Sequence, residues 1–149
     1  MGKIKALVID DSKIMRSAVK RTLNQLMLAD FEYIEAKDGE EALEKFNGEI
    51  DIMFVDWNMP NMTGVEFAKA IRDKGYEKIP IIMVTAEKSM GKVDKALNEG
   101  GANEYITKPF TADKMHKAIN QYFDEEGNMA SDDEEDGKQK SFFKSILNS

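Results

Sequence analysis

The chain contains no cysteine. Disulfide scaffolds, thiolate zinc sites and cysteine nucleophiles are therefore excluded, and the composition suits a reducing cytosol. Histidine is nearly absent: His116 is the only one. That is too few for a multi-histidine metal site. Long hydrophobic runs are missing as well, the longest being about six residues against the ~20 a membrane helix needs. No apolar stretch at the N-terminus resembles a signal peptide, so a cytoplasmic location is expected. Basic charge is in deficit, with 21 Lys and Arg against 28 Asp and Glu, a net charge of −7. Nucleic acid and anionic membrane surfaces both need Lys/Arg footprints, so neither is expected as a partner.

What is present suits one globular domain. With 149 residues and 42% apolar content, a single core is feasible by the prior of roughly 150 residues per domain. The charge is unevenly spread, since residues 124–149 carry eight acids and three lysines. Positions 1–123 read as the folded domain. Positions 124–140 read as an acidic, disordered linker. Positions 141–149 read as a short amphipathic segment. There, Phe142, Phe143, Ile146 and Leu147 would share one helical face and dock on a groove of this domain or of a partner.

Within the domain, short apolar runs alternate with helical periodicity. Lys5–Ile9 is a continuous apolar run, read as a buried strand. Ile14, Met15, Ala18, Val19, Leu23, Leu26 and Met27 follow at three-four spacing, a helix capped by Asp11 or Ser12. Phe31–Ala36 alternates as a second strand. Asp38-Gly-Glu-Glu41 opens a second helix. Asp51–Asp56 is a third strand, and Thr63 with Glu66 starts a helix running to about Lys74. Ile79–Val84 is a fourth strand, with Pro80 tolerated near its start. Met90, Val93 and Leu97 mark a fourth helix ended by Gly100-Gly101. Tyr105–Thr107 is a short fifth strand, and Ala112–Phe123 a last helix. Five such repeats predict an α/β, doubly wound parallel sheet with helices on both faces. Ligands then gather at the carboxyl ends of the strands.

The unusual polar residues fall at those ends: Asp10 and Asp11 after the first strand, Asp56 ending the third, Thr85 ending the fourth, Lys108 after the fifth. Three carboxylates gathered there repel by ~4 kcal/mol per pair at ~4 Å and an effective dielectric near 20. A proton or a cation must relieve them. Hard oxygen donors suit Mg²⁺. An aspartate beside such an ion can serve as a nucleophile toward phosphorus, with Asp56 the most central candidate. Each residue also has a plainer reading. Asp10-Asp11 can be a helix cap, Asp56 a turn residue and Tyr105 a core-edge aromatic. Trp57 reads equally as an exposed rim residue or a contact, His116 as a solvated flank, and the ten methionines mostly as core filler.

Four stretches in order carry a resemblance: Val8-Ile-Asp-Asp-Ser12; Val55-Asp-Trp-Asn-Met-Pro60 with Gly64; Val84-Thr-Ala-Glu87; and Tyr105-Ile-Thr-Lys-Pro-Phe110. Over about residues 4–123 the chain resembles the receiver domains of two-component response regulators, most closely the single-domain chemotaxis type. The resemblance implies a flavodoxin-like (βα)5 sheet in the order 2-1-3-4-5. It implies phosphorylation of Asp56 by a histidine kinase, with Mg²⁺ on Asp11, Asp56 and the Asn58 carbonyl, and Asp10 reaching the ion through water. Lys108 would pair with the phosphate, across a Lys108–Pro109 bond that is usually cis. Thr85 would swing toward the phosphoryl group and Tyr105 turn inward, while Asn58 and Glu87 tune phosphate lifetime. The implied output is binding of a flagellar motor switch protein or a phosphatase on the face of helix four, strand five and helix five. Such a domain is no conventional enzyme, although it assists its own Mg²⁺-dependent phosphorylation and dephosphorylation. One departure is visible: the stretch from Thr85 to Tyr105 is one residue longer than the common form, at Gly100-Gly101.

Other classes fit less well. A haloacid-dehalogenase-type phosphohydrolase needs a second aspartate two residues after the nucleophile, and Asn58 stands there. A flavodoxin-like electron carrier needs a phosphate-cradling first loop, and Asp10-Asp11 would repel one. A degenerate receiver would lack site residues, and none is missing. A single-domain receiver serving a phosphorelay other than chemotaxis remains the main alternative.

Overall fold

The computed structural model describes residues 3–130. Five strands and five helices alternate: β1 Ile4–Ile9, α1 Lys13–Leu26, β2 Phe31–Ala36, α2 Gly39–Lys45, β3 Ile52–Val55, α3 Gly64–Asp73, β4 Ile81–Thr85, α4 Met90–Asn98, β5 Glu104–Thr107 and α5 Ala112–Ile119. All strand pairs are parallel, in the order β2-β1-β3-β4-β5. Both the α/β class and the strand order agree with the sequence reading.

Local chemistry explains the boundaries. Ser12, not Asp11, caps α1, its hydroxyl accepting the Met15 N–H at 3.3 Å. Asp38 caps α2, and Thr63 with Glu66 forms a reciprocal capping box on α3, satisfying two donors the first turn would otherwise leave open. β4 starts at Ile81, later than expected, because Pro80 has no N–H to donate; its carbonyl instead accepts from Met53 at 3.0 Å. α5 ends at Ile119, earlier than expected, and its last turn tightens into a 3-10 turn at Asn120–Tyr122. α4 ends at Asn98. Gly101 then takes φ +72°, a left-handed conformation that glycine adopts without cost.

Helices cover both faces of the sheet. α2, α3 and α4 bury Ala42, Phe67, Ala68, Ile71 and Ala96 against Leu7, Met53, Val55 and Met83. α1 and α5 bury Val19, Leu23, Met115 and Ile119 against Val8, Phe54, Ile82 and Val84. Covered on both sides, the strands are near-continuously apolar, and each fully buried Ile, Leu, Met or Phe contributes about 1.5–3 kcal/mol.

The ordered body continues beyond Phe123, where the linker was expected to begin. Asp124 accepts N–H groups of Glu126 and Asn128, Phe123 bridges antiparallel to Met129, and Ala130 donates to the Tyr122 carbonyl at 2.8 Å. Residues 124–130 are thus a hydrogen-bonded turn folded back on the domain. The rest of the expected linker and the amphipathic segment at 141–149 lie outside the described residues.

Candidate functional site

Strand pairing brings the polar residues to one rim. The Asp56 N–H donates to the Ile9 carbonyl at 3.0 Å and the Lys108 N–H to the Thr85 carbonyl at 2.8 Å. The ends of β1, β3, β4 and β5 therefore lie side by side. Asp10, Asp11 and Asp56 each present an oxygen within 4.8 Å of the others. The Asp10 and Asp56 side chains are buried, and Thr85 is wholly so. Asp11 is exposed.

Gly64 makes this rim possible. A side chain there would collide with the Asp56 carbonyl. The Gly64 N–H closes the turn by donating to the Trp57 carbonyl at 2.9 Å. The loop after β3 therefore folds tightly under Asp56 and leads straight into α3.

Lys108 sits between the acids. Its Nζ is 2.7 Å from Asp10 Oδ2 and 3.7 Å from Asp56 Oδ1. Asp10 Oδ1 also accepts the Ser12 N–H at 2.9 Å, so both oxygens of Asp10 are engaged. Burial pushes the Asp56 carboxyl above its ordinary value. Lys108 opposes that push, the charge of Asp10 adds to it, and hydrogen bonds from Thr85 and the Trp57 backbone oppose it. Asp56 thus combines strong desolvation with partial compensation, a condition typical of functional carboxylates.

A second set of side chains spans the mouth of the rim. The Asn58 carboxamide donates to Glu87 Oε1 at 2.9 Å. Lys92 Nζ is 3.1 Å from Glu87 Oε2 and 5.7 Å from the centre of the Trp57 ring. Asn58 and Lys92 hold the Glu87 carboxyl below its usual range. The Tyr105 hydroxyl donates to the Glu87 carbonyl at 2.7 Å. The Lys108–Pro109 bond is cis.

All eight residues singled out from sequence fall in this one region. Two details go beyond the sequence reading. Of the two readings open for Trp57, the structure selects the contact: the residue is buried, 8% exposed. Lys92 was not singled out, and it completes the network around Glu87. Its backbone is fixed by the Ser89 cap at the start of α4.

Comparison with known proteins shows the family. A model of the response regulator receiver domain family matches residues 6–120. The chain is 44% identical over 119 residues to the chemotaxis protein CheY1 of Helicobacter pylori, covering 78% of this chain and 94% of that protein. It is 45% identical over 119 residues to a chemotaxis protein CheY homologue of Campylobacter jejuni, covering 78% of this chain and 89% of that one. Among solved structures, the chemotaxis protein CheY4 of Vibrio cholerae superimposes with a TM-score of 0.68 at 37% identity, covering 78% of this chain and 95% of that one.

Proposed function

The chain belongs to the response regulator receiver family, and from that premise we propose that Asp56 is its phosphoryl acceptor in a two-component relay serving chemotaxis. The observation that carries the reading is the buried Asp56 carboxylate, flanked by Asp11, Lys108 and Thr85. Transfer from a phosphohistidine would form an Asp56 oxygen–phosphorus bond and break the nitrogen–phosphorus bond, with the donor imidazole taking a proton. Such transfer needs alignment and charge neutralisation more than acid–base work. Lys108, already 3.7 Å from Asp56, is suited to pair with the new phosphoryl oxygens. The Thr85 hydroxyl is suited to turn from Asp56 toward them.

The three clustered carboxylates also fit a small hard cation such as Mg²⁺. Asp11, Asp56 and the Asn58 carbonyl would hold it, with Asp10 behind. When bound, Mg²⁺ supplies the positive charge that offsets carboxylate and phosphoryl repulsion. Lys108 keeps Asp10 paired, leaving Asp11 the exposed ligand.

In the cell such a domain serves as a cytoplasmic switch. A histidine kinase supplies the phosphoryl group, and a flagellar motor switch protein or a phosphatase binds the face of α4, β5 and α5. Tyr105, on β5 with its hydroxyl on the β4–α4 loop, is suited to couple that face to Thr85. The names of the relatives support chemotaxis over another phosphorelay, and among the described residues no helix is long and apolar enough to cross a membrane.

The test is titration with Mg²⁺ followed by acetyl phosphate, read by Trp57 fluorescence and by phosphoprotein electrophoresis. Saturable responses to both are expected, and Asp56→Asn removes phosphoryl uptake. An Asp56→Asn chain that is still phosphorylated at the wild-type rate overturns the assignment.

A further inference from the structure

The chemistry above leaves Lys92 unused, although it lies at the mouth of the site. Its backbone is fixed in the first turn of α4, where its N–H donates to the Ser89 hydroxyl at 3.3 Å. Its ammonium group makes the two contacts already described, to Glu87 Oε2 and to the face of Trp57. The remaining Glu87 oxygen takes the Asn58 carboxamide. Asn58 stands two residues beyond Asp56 and Glu87 two residues beyond Thr85, at the ends of the paired strands β3 and β4. The Asn58–Glu87 hydrogen bond therefore crosses from one loop to the other beside the acceptor.

The Glu87 backbone is held at two points before phosphorylation. Its N–H faces the Thr85 hydroxyl at 3.4 Å and its carbonyl accepts from Tyr105. Movement in this bridge is thus left to side chains, and the Glu87 carboxylate has two tethers, Asn58 and Lys92. The Asn58 tether is one hydrogen bond from a neutral amide to the carboxylate. The Lys92 tether carries charge, and the buried Trp57 ring beneath it supplies a favourable face for the cation. Side-chain exposure of 43% for Lys92 and 26% for Glu87 makes the tether a modest one.

We propose that Lys92 is a positioning residue for phosphoryl lifetime: seated over Trp57 and paired with Glu87, it keeps the Asn58–Glu87 bridge closed over the acceptor and restricts water. The inference rests on Asp56 being the acceptor. Loss of the phosphoryl group requires a water oxygen to attack phosphorus opposite the Asp56 oxygen. A new oxygen–phosphorus bond forms, the bond to Asp56 breaks, the carboxylate returns, and inorganic phosphate leaves with the water's proton passing to solvent. A closed bridge narrows the approach of that water, and a loosened one widens it. Lys92 touches none of the reacting atoms and acts through Glu87.

The full chain is phosphorylated with acetyl phosphate and Mg²⁺, the donor is removed, and decay is followed on phosphate-affinity gels. Lys92→Gln is expected to shorten the lifetime about two- to fivefold, the rate equivalent of losing one exposed charged contact. Lys92→Arg restores most of it. In a Glu87→Gln background, Lys92→Gln adds nothing further, because the carboxylate it acts through is gone. The midpoint of a Mg²⁺ titration stays unchanged throughout. Unaltered decay in Lys92→Gln, or the same acceleration with Glu87 already replaced, overturns the role of Lys92. Failure of the wild-type chain to take up phosphate instead overturns the Asp56 assignment, so the two failures are separable.

Discussion

The two ends of the sheet are built on opposite principles. At the carboxyl ends of the strands, Asp10, Asp56 and Thr85 are buried around one ammonium group. At the amino ends, the domain is closed by aromatic packing: Phe31 meets Phe123 edge-on at 5.7 Å and stacks with Tyr33 at 5.7 Å. The turn at 124–130 lies over that end, and the Ile4 N–H is held by the Asp30 carbonyl at 2.8 Å. One end carries electrostatic stress and the other supplies cohesion. A receiver can hold a desolvated carboxylate ready because the stress is confined to a rim that a separately stabilised sheet supports.

The sharpest way to test that separation is to weaken the cohesive end. Phe123→Ala should cost about 3–5 kcal/mol of folding stability, measured by urea denaturation. Phosphoryl uptake per folded molecule should be unchanged. If uptake falls in step with stability, the two ends are coupled and the comparison breaks.

A smaller effect, of opposite sign, is expected at the other end. Burial raises the Asp56 carboxyl, so its ionised form is disfavoured in the folded state. That penalty grows as pH rises from the unfolded value through the raised folded one, and it is complete above it. Asp56→Asn removes it. In chelator-treated protein at neutral pH this variant should be more stable than wild type by on the order of 1 kcal/mol, and on the proposed assignment it should accept no phosphate. The advantage should shrink as pH falls through the acidic range. An Asp56→Asn chain less stable than wild type at neutral pH would show that the rim carries no such stress.

The smallest effect belongs to an ordinary ion pair on β2. Lys20 and Arg16 hold Glu35 below its usual carboxyl range, at 2.9 and 3.0 Å. Its contribution is fully present above the unfolded value near 4.5 and is lost as pH falls through the lowered folded value. Glu35→Gln should cost about 0.2–1 kcal/mol at neutral pH and less below that window. The opposite pH trends of Glu35 and Asp56 would sharpen the contrast between a stabilising acid and a stressed one.

Much of this contrast was legible in the residues. Apolar strands such as Ile52–Val55 and the three-four spacing of Val19, Leu23 and Leu26 identify element types, because burial on one face imposes a period. Placing Asp10, Asp56 and Lys108 directly after such strands, and Thr85 at the end of one, suffices to gather them, since parallel strands share one carboxyl edge. Boundaries were less legible. The tightening after Ile119 and the turn at 124–130 depend on how Phe123 and Met129 meet the sheet, and no local propensity marks that. Acidic composition alone suggested that the chain was unstructured from Asp124 on.

The amino-acid order by itself determined the fold class and which polar residues gather at one rim, because side-chain period and strand-end position are local properties. The tertiary structure alone decided that Lys108 lies closer to Asp10 than to Asp56. It also decided that Trp57 is buried beneath Lys92 and that Glu87 is shared between two loops. Those outcomes depend on distances between residues far apart along the chain, and only the packed sheet and its capped helices set such distances.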